Sequence, residues 1–378
     1  MSRPRAGDRD TAEFRAAGSQ PGSTRLMRSP STGAVEVPFS AHFHLGRSGR
    51  NPDGMLVGGL RMSRTDDAPF AHVPVMAAEV VDLFAPVPAG TVLDATVGGA
   101  GHARALLAAH PHLRVVGIDQ DPAAVTAASE ALAGFGDRAA VSHARFDRLG
   151  EVLDDVGVEL LSGALFDLGV SSPQLDRASR GFSYRADAPL DMRMDPGAAR
   201  RAADVVNNMA EPELVRLLLA NGEGRFARRI ARAIVAARPL TTTVELAEVV
   251  KAAIPAAARR TGGHPARRAF QAVRIAVNDE LAVLPGALDA AIGRLAPGGR
   301  CVVLSYHSGE DRLVKERFVT ASTGGCTCPP GLPCVCGAVP TVRLLTRGSR
   351  RPTAAEVAAN PRSESARLRA VERLSPSL

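Results

Sequence analysis

Residues 90–119 read Gly90-Thr-Val-Leu-Asp94-Ala-Thr-Val-Gly98-Gly99-Ala100-Gly101-His102-Ala-Arg104-Ala-Leu-Leu-Ala-Ala109, then His-Pro-His-Leu-Arg114-Val-Val-Gly-Ile-Asp119. A short apolar run ends in Asp94, a glycine-rich turn follows, an Ala/Leu-rich helix spans 103–109, and a second apolar run closes on Asp119. Strand, turn, helix and strand in that order predict a parallel sheet covered on both faces. A glycine-rich turn behind the first strand lets backbone approach a ligand, and the helix N-terminus favours polar or negative groups. An acidic residue ending the second strand can accept hydrogen bonds from both hydroxyls of a ribose.

Two cofactor classes share this plan. The dinucleotide pattern G-x-G-x-x-G aligns from Gly99, but its third glycine is Arg104, whose side chain impedes close helix–strand packing. A nicotinamide oxidoreductase is therefore disfavoured. S-adenosylmethionine carries no pyrophosphate and tolerates a looser turn, and a purely structural glycine turn is the bland alternative.

Outward from this unit, residues 75–84 read as an amphipathic helix, 123–133 as a second helix and 163–167 as a further strand. After Gln174 the character turns helical: 212–220 and 223–238 are separated by Asn221-Gly222 and ended by Pro239, and Thr242 with Glu245 has capping-box spacing for a helix to about residue 254. A helix over 269–284 and a strand over 300–305, with the turn Pro297-Gly298-Gly299 between them, return the chain to the sheet. The expected organisation is a disordered Gly/Ser/Pro/Arg-rich extension (1–65), with Met62 a possible alternative start, then a discontinuous sheet domain (66–174 and 271–378, with a cysteine-containing loop at 322–340) around an inserted helical domain (175–270).

The 378 residues carry a net charge of +7, which fits a polyanionic partner and equally a solvated basic surface. Between residues 200 and 270 there are thirteen Arg/Lys and six Asp/Glu, and Arg225, Arg228, Arg229 and Arg232 have the spacing of one helical face suited to phosphates. No apolar run is long enough for a membrane span and no apolar stretch follows the first residues, so a cytoplasmic location is expected. Four of five cysteines, Cys326, Cys328, Cys334 and Cys336, share one Pro/Gly-rich segment. They could hold zinc, form a redox-active pair or be plain loop thiols; C-x-C is tighter than usual zinc pairs, and no metal is assigned to a catalytic site. Cys301 reads as a small buried apolar residue.

The later motifs resemble one family, the bacterial 16S ribosomal RNA cytosine-N4 methyltransferases (RsmH or MraW). The matching runs are His72-Val-Pro-Val75, Asp94-Ala-Thr-Val-Gly98 with Gly101-His102, Phe166-Asp-Leu-Gly-Val-Ser-Ser-Pro-Gln-Leu-Asp176, Arg180-Gly-Phe-Ser183, Pro189-Leu-Asp-Met-Arg-Met-Asp195, Arg225 to Ile234, Phe270 to Glu280, Ser305-Tyr-His-Ser308 and Asn360-Pro-Arg-Ser363. The resemblance spans about residues 70–375. It implies a Rossmann-like class I S-adenosylmethionine-dependent methyltransferase sheet with an inserted helical domain, acting on N4 of a cytosine at position 1402 of 16S rRNA in the small ribosomal subunit. It also implies a cofactor pocket from Ala100, Gly101 and His102 at the turn, Asp119 at the ribose, Phe146 beside the adenine, and Asp167 and Gln174. The chain departs from the family pattern at Ala100 (usually Gly), Gly224 (Glu), Tyr306 (Phe), Gly309 (Leu) and Glu364 (Arg).

A cytosine amine gives its lone pair to the ring and is a poor nucleophile until it becomes tetrahedral, so an acceptor near the amine hydrogens is needed. Asp167 is the candidate, as that acceptor or as a cofactor ligand only. His307, between two serines, is the second candidate, with a structural hydrogen bond as its bland role. A DNA amino-methyltransferase and a non-catalytic rRNA-binding assembly factor are the alternatives. The set Asp94, Gly101, Asp119 and Asp167 argues against a module with no cofactor.

Overall fold

The computed structural model describes residues 74–259, 263–329 and 335–375. The expected disordered extension, Met62 and the first half of the His72–Val75 run lie outside the described residues, as does Cys334. The described strands are β1 (Gly90–Asp94), β2 (Leu113–Asp119), β3 (Ala139–His143), β4 (Leu161–Asp167), β5 (Leu295–Ser305), β6 (Val342–Leu344) and β7 (Arg367–Arg373). They form one sheet in the order β3-β2-β1-β4-β5-β7-β6. β1 to β5 are parallel, while β7 runs antiparallel to both β5 and β6. This is the Rossmann-like class I methyltransferase sheet, and its strand order reverses between β1 and β4, where open α/β sheets bind ligands.

Both faces of the sheet are covered because successive side chains point to opposite sides. Val92, Val115, Leu165, Val302 and Leu368 pack beneath α1 (Ala77–Phe84), α2 (Gly101–Ala109) and α3 (Pro122–Leu132). Their neighbours Leu93, Val116, Phe166, Val303 and Val371 pack on the other face, against α4 (Leu149–Asp155) and two later helices. A strand buried on both faces reads as a continuous apolar run, and β4 is buried from Leu161 to Phe166.

Beyond β4 and the short α5 (Ser172–Asp176), the chain leaves the sheet for α6 (Ala202–Asn208), α7 (Glu211–Ala220), α8 (Ala227–Ala236), α9 (Thr243–Ala253), α10 (Ala256–Arg259) and α11 (Arg267–Asn278). These helices share an apolar core of their own, with Val205, Leu214, Leu218, Ile230, Ile234, Leu246, Val250 and Val273. The capping box of α9 forms as spaced: Glu245 N donates to Thr242 Oγ1 at 3.3 Å and Thr242 N to Glu245 Oε2 at 3.0 Å. The chain returns through α12 (Glu280–Gly293), then α13 (Ser308–Thr323) and α14 (Ala354–Ala359).

Three expectations need correction. The single helix expected over 269–284 is two, broken at Asp279, which takes a left-handed conformation (φ 53°). The break is enforced by Asn278, whose buried amide donates to Met192 O and accepts from Met194 N, 2.9 and 2.8 Å away. The helix expected from residue 223 begins at Ala227, so Arg225 precedes it and lies over the Phe226 ring rather than on the helical face. The Pro297–Gly299 turn is absorbed into β5 as an irregularity, where pairing passes from Leu161–Leu295 to Gly163–Arg300. β3, β6 and β7 add to the strands anticipated. No described helix is long and apolar enough to cross a membrane.

Candidate cofactor and active site

The C-terminal ends of β1, β2 and β4 open into a cleft of about 1490 Å3 whose far wall comes from residues 182–186, α11 and the start of α12. The turn after β1 shapes its floor. Ala100 caps α2 with φ 61°, the left-handed region that a Cβ disfavours by about 1–2 kcal/mol. The glycine usual in the family would sit there without that cost. At Gly101 a Cβ would approach the Pro74 ring to 3.2 Å, so a larger residue there would push α2 and the segment before α1 apart by a few tenths of an ångström.

Three carboxylates and one imidazole meet at this edge. Asp119 Oδ2 accepts from Gly98 N (3.0 Å) and its Oδ1 from Asp121 N (2.9 Å), which tie the end of β2 to the glycine turn. Burial pushes the Asp119 carboxyl up to about 6. Asp94 is more deeply buried, accepts from Thr96 N, and is pushed up to about 7 by burial, against the pull of His102. Asp167 N donates to Thr96 Oγ1 (2.6 Å), and its carboxylate accepts from the Tyr306 hydroxyl at 2.7 Å. His102 Nε2 stands 3.5 Å from the other Asp167 oxygen, and among the described residues neither ring nitrogen of this buried histidine has a hydrogen-bond partner of normal geometry. Burial opposes a charge on His102, but Asp167 and Asp94 hold its pKa above the usual imidazole range.

Asp94, Asp119 and Asp167 with a single imidazole make the cleft floor negative. A pyrophosphate would be repelled there, whereas a ligand with cationic groups would be drawn in. S-adenosylmethionine carries a sulfonium and an ammonium, and the His102 nitrogens, without a hydrogen-bond partner of normal geometry among the described residues, leave polar capacity for a ligand. The residues present fit that cofactor.

The other expected residues are gathered at the same cleft. Phe146 is buried on its wall, edge-on to Phe166 at 6.0 Å. Gln174 lines the cleft too, but its amide is already engaged: Oε1 accepts from Ser171 N and Nε2 donates to Asp121 Oδ2, both at 3.0 Å. His307 lies farther along, where Nδ1 accepts from Gly309 N and Glu310 N as the cap of α13 and Nε2 stands 3.1 Å from Glu310 Oε1. That places the proton on Nε2 and aims the ring at its own helix.

Several residues were not anticipated. Asp121 is a buried hub that caps α3, accepts from Gln174 and pairs with Arg180 at 2.8 Å. Arg180 in turn donates to Arg193 O and Met194 O, so one ion pair binds the Asp191–Asp195 loop to the sheet. Tyr184 stacks on His264 at 4.2 Å and meets Phe270 edge-on, making an aromatic surface on the far wall. Arg185 and Arg267 are exposed on the cleft rim, while the α8 arginines are exposed but not part of the cleft lining. The Tyr184–His264 pair is separated by 80 residues of chain, which is why spacing alone could not reveal it.

The sequence profile of the MraW methylase family matches residues 69–374. The chain belongs to the MraW methylase family. As a member it draws its methyl group from S-adenosylmethionine, the donor anticipated from the glycine turn and Asp119. Among similar proteins is one from Thermobifida fusca, 55% identical over 310 residues that cover 80% of this chain and 93% of that one. Others come from Acidothermus cellulolyticus (54%, covering 80% and 94%) and Heliobacterium modesticaldum (50%, covering 81% and 99%). Each of the three is named ribosomal RNA small subunit methyltransferase H.

Proposed function

We propose that this methylase acts on small-subunit ribosomal RNA in the cytoplasm, transferring a methyl group to the exocyclic N4 of one cytosine, the one at position 1402 of 16S rRNA. The observation that carries the reading is the negative floor at the ends of β1, β2 and β4, beside a wide cleft with an aromatic wall and an arginine rim. The names of its relatives support rRNA as the substrate class, and the motif resemblance supports N4 of cytosine.

S-adenosylmethionine, when bound, supplies a methyl group already activated on sulfur. The chain's residues then have to bind, orient and hold protons. Asp119 would hold the ribose hydroxyls, Phe146 would cover the adenine and the Ala100–His102 turn would offer backbone to the cofactor, while Gln174 keeps α5 against the pocket. Asp94 and Asp167 lend negative charge to the cationic end. Asp167 also accepts from the amine hydrogens as the amine becomes tetrahedral, with the Tyr306 hydroxyl fixing the carboxylate's orientation. His307 acts as a positioning residue that anchors α13 behind Tyr306. The target base must leave its stack to reach this depth, and Arg185 and Arg267 are placed to hold the flanking phosphates.

The test is transfer from labelled S-adenosylmethionine to small subunits from cells lacking this gene and, in parallel, to DNA, with nucleoside analysis of the products. N4-methylcytidine at a single site is expected. Label in another nucleoside would refute the N4 assignment, and label in DNA alone would move the reading to a DNA amino-methyltransferase. Cofactor binding without transfer to any nucleic acid would favour an assembly factor.

A further inference from the structure

Away from the cleft, α13 ends at Thr323 and Gly324 turns the chain in a left-handed conformation (φ 63°). The segment that leads from there to β6 brings three cysteine side chains together. The Sγ atoms of Cys326, Cys328 and Cys336 all lie within 4.8 Å of one another, with Cys326 and Cys336 3.6 Å apart. Sulfurs bound to one tetrahedral ion through bonds of about 2.3 Å stand about 3.8 Å from each other. A disulfide needs about 2.05 Å and joins only two atoms. Three sulfurs converging from two separate chain stretches therefore suit a common centre better than a covalent pair.

The surroundings point the same way. Cys336 is exposed and the other two are half-buried, so an ion can enter from solvent. The ligand set is all sulfur, which selects a soft or borderline ion such as zinc over magnesium or calcium. None of the three lines the cleft, so methyl transfer does not account for them.

We propose that Cys326, Cys328 and Cys336 bind one zinc ion as thiolates, a structural clamp on the connection between α13 and β6. Each thiol gives up its proton to solvent on binding and the ion keeps its +2 state, so nothing is oxidised or reduced. The fourth position is filled by water or a further ligand. The base of this connection is already pinned, since Thr341 N donates to Ala321 O at 2.9 Å and Leu374 N to Thr341 O at 3.0 Å. Closing the loop with an ion fixes the approach to β6 and the sheet edge beyond it.

The experiment uses the full chain purified under reducing conditions without chelator. Elemental analysis is expected to find about one zinc per chain. Replacement by cobalt(II) is expected to produce the intense near-ultraviolet band of thiolate-to-metal charge transfer. The variants Cys326→Ser and Cys336→Ser should each lower zinc content at least tenfold while S-adenosylmethionine affinity stays within twofold. Wild-type protein that holds no stoichiometric zinc, and gives no charge-transfer band when cobalt is added, would overturn the proposal. So would an intact mass 2 Da low, which reports a disulfide. Both readouts are made on the wild type, so they stand even where a variant fails to fold.

Discussion

Asp94 and Asp119 titrate far above an ordinary carboxyl because burial penalises their charged forms. In the folded, ligand-free chain both therefore bind protons that the unfolded chain, near its ordinary value of 3.8, has already released. Stability of the ligand-free protein should fall as pH rises from about 4 to about 7, and His102, whose pKa is also raised, loses its contribution in the same direction. A cationic cofactor prefers the ionised carboxylates, so its affinity should rise over that window with release of protons. Thermal melts and calorimetry in buffers of different ionisation enthalpy would show both trends; flat profiles would contradict the titration of Asp94 and Asp119. Asp119→Ala should weaken cofactor binding on the order of 10- to 100-fold, the worth of one charge-assisted hydrogen bond or slightly more. Asp167→Asn should leave affinity within a few-fold yet abolish turnover; equal loss of both would leave Asp167 a cofactor ligand only. His307→Ala should cost about 1 kcal/mol of stability, as the loss of a helix cap, with turnover at saturating substrate nearly intact, and a collapse of kcat would restore it as a catalytic candidate. The positions of these residues could be read in advance, because spacing alone sets Asp119 and Asp167 at the ends of β2 and β4 and Gly101 at the start of α2. Asp121 could not, since its importance lies in Arg180, 59 residues away in the chain.

At the scale of elements, the Asp121–Arg180 pair decides how the loop after β4 meets the sheet. Asp121 is 5% and Arg180 17% exposed, and removing one partner of such a pair costs about 3–5 kcal/mol. Arg180→Ala should therefore lower the unfolding midpoint and also loosen the cleft, seen as weaker cofactor binding; an unchanged midpoint would deny the hub its structural role. The helices were legible where local chemistry governs them, as at the Thr242–Glu245 cap. They were illegible where a distant group intervenes: nothing within residues 269–284 announces that Asn278 will turn to serve the backbone of Met192 and Met194. The basic stretch shows the same limit, for α8 carries the obvious periodicity while the cleft rim belongs to Arg185 and Arg267. Charge reversal at Arg185 and Arg267 should raise KM for the RNA substrate and flatten its salt dependence more than reversal at Arg228 and Arg229. The opposite ranking in a salt-titrated kinetic series would move the RNA path onto α8.

For the molecule as a whole, the parallel half of the sheet was readable because buried parallel strands advertise themselves as unbroken apolar runs. β3 was not, its residues being mostly half-exposed, and β7 reads as alternating Arg and apolar residues with no hint that it lies between β5 and β6. That place has a bearing on synthesis. β7 follows β6 in the chain yet lies between β5 and β6, so when β5 and β6 have left the ribosome the strand that pairs with both is still missing. Until Arg367–Arg373 emerges, β5 presents an open, apolar edge of the kind that recruits other chains. A premature stop anywhere ahead of residue 367 thus leaves an unfinished sheet rather than a trimmed enzyme, and a nascent chain stalled there becomes a client for chaperones.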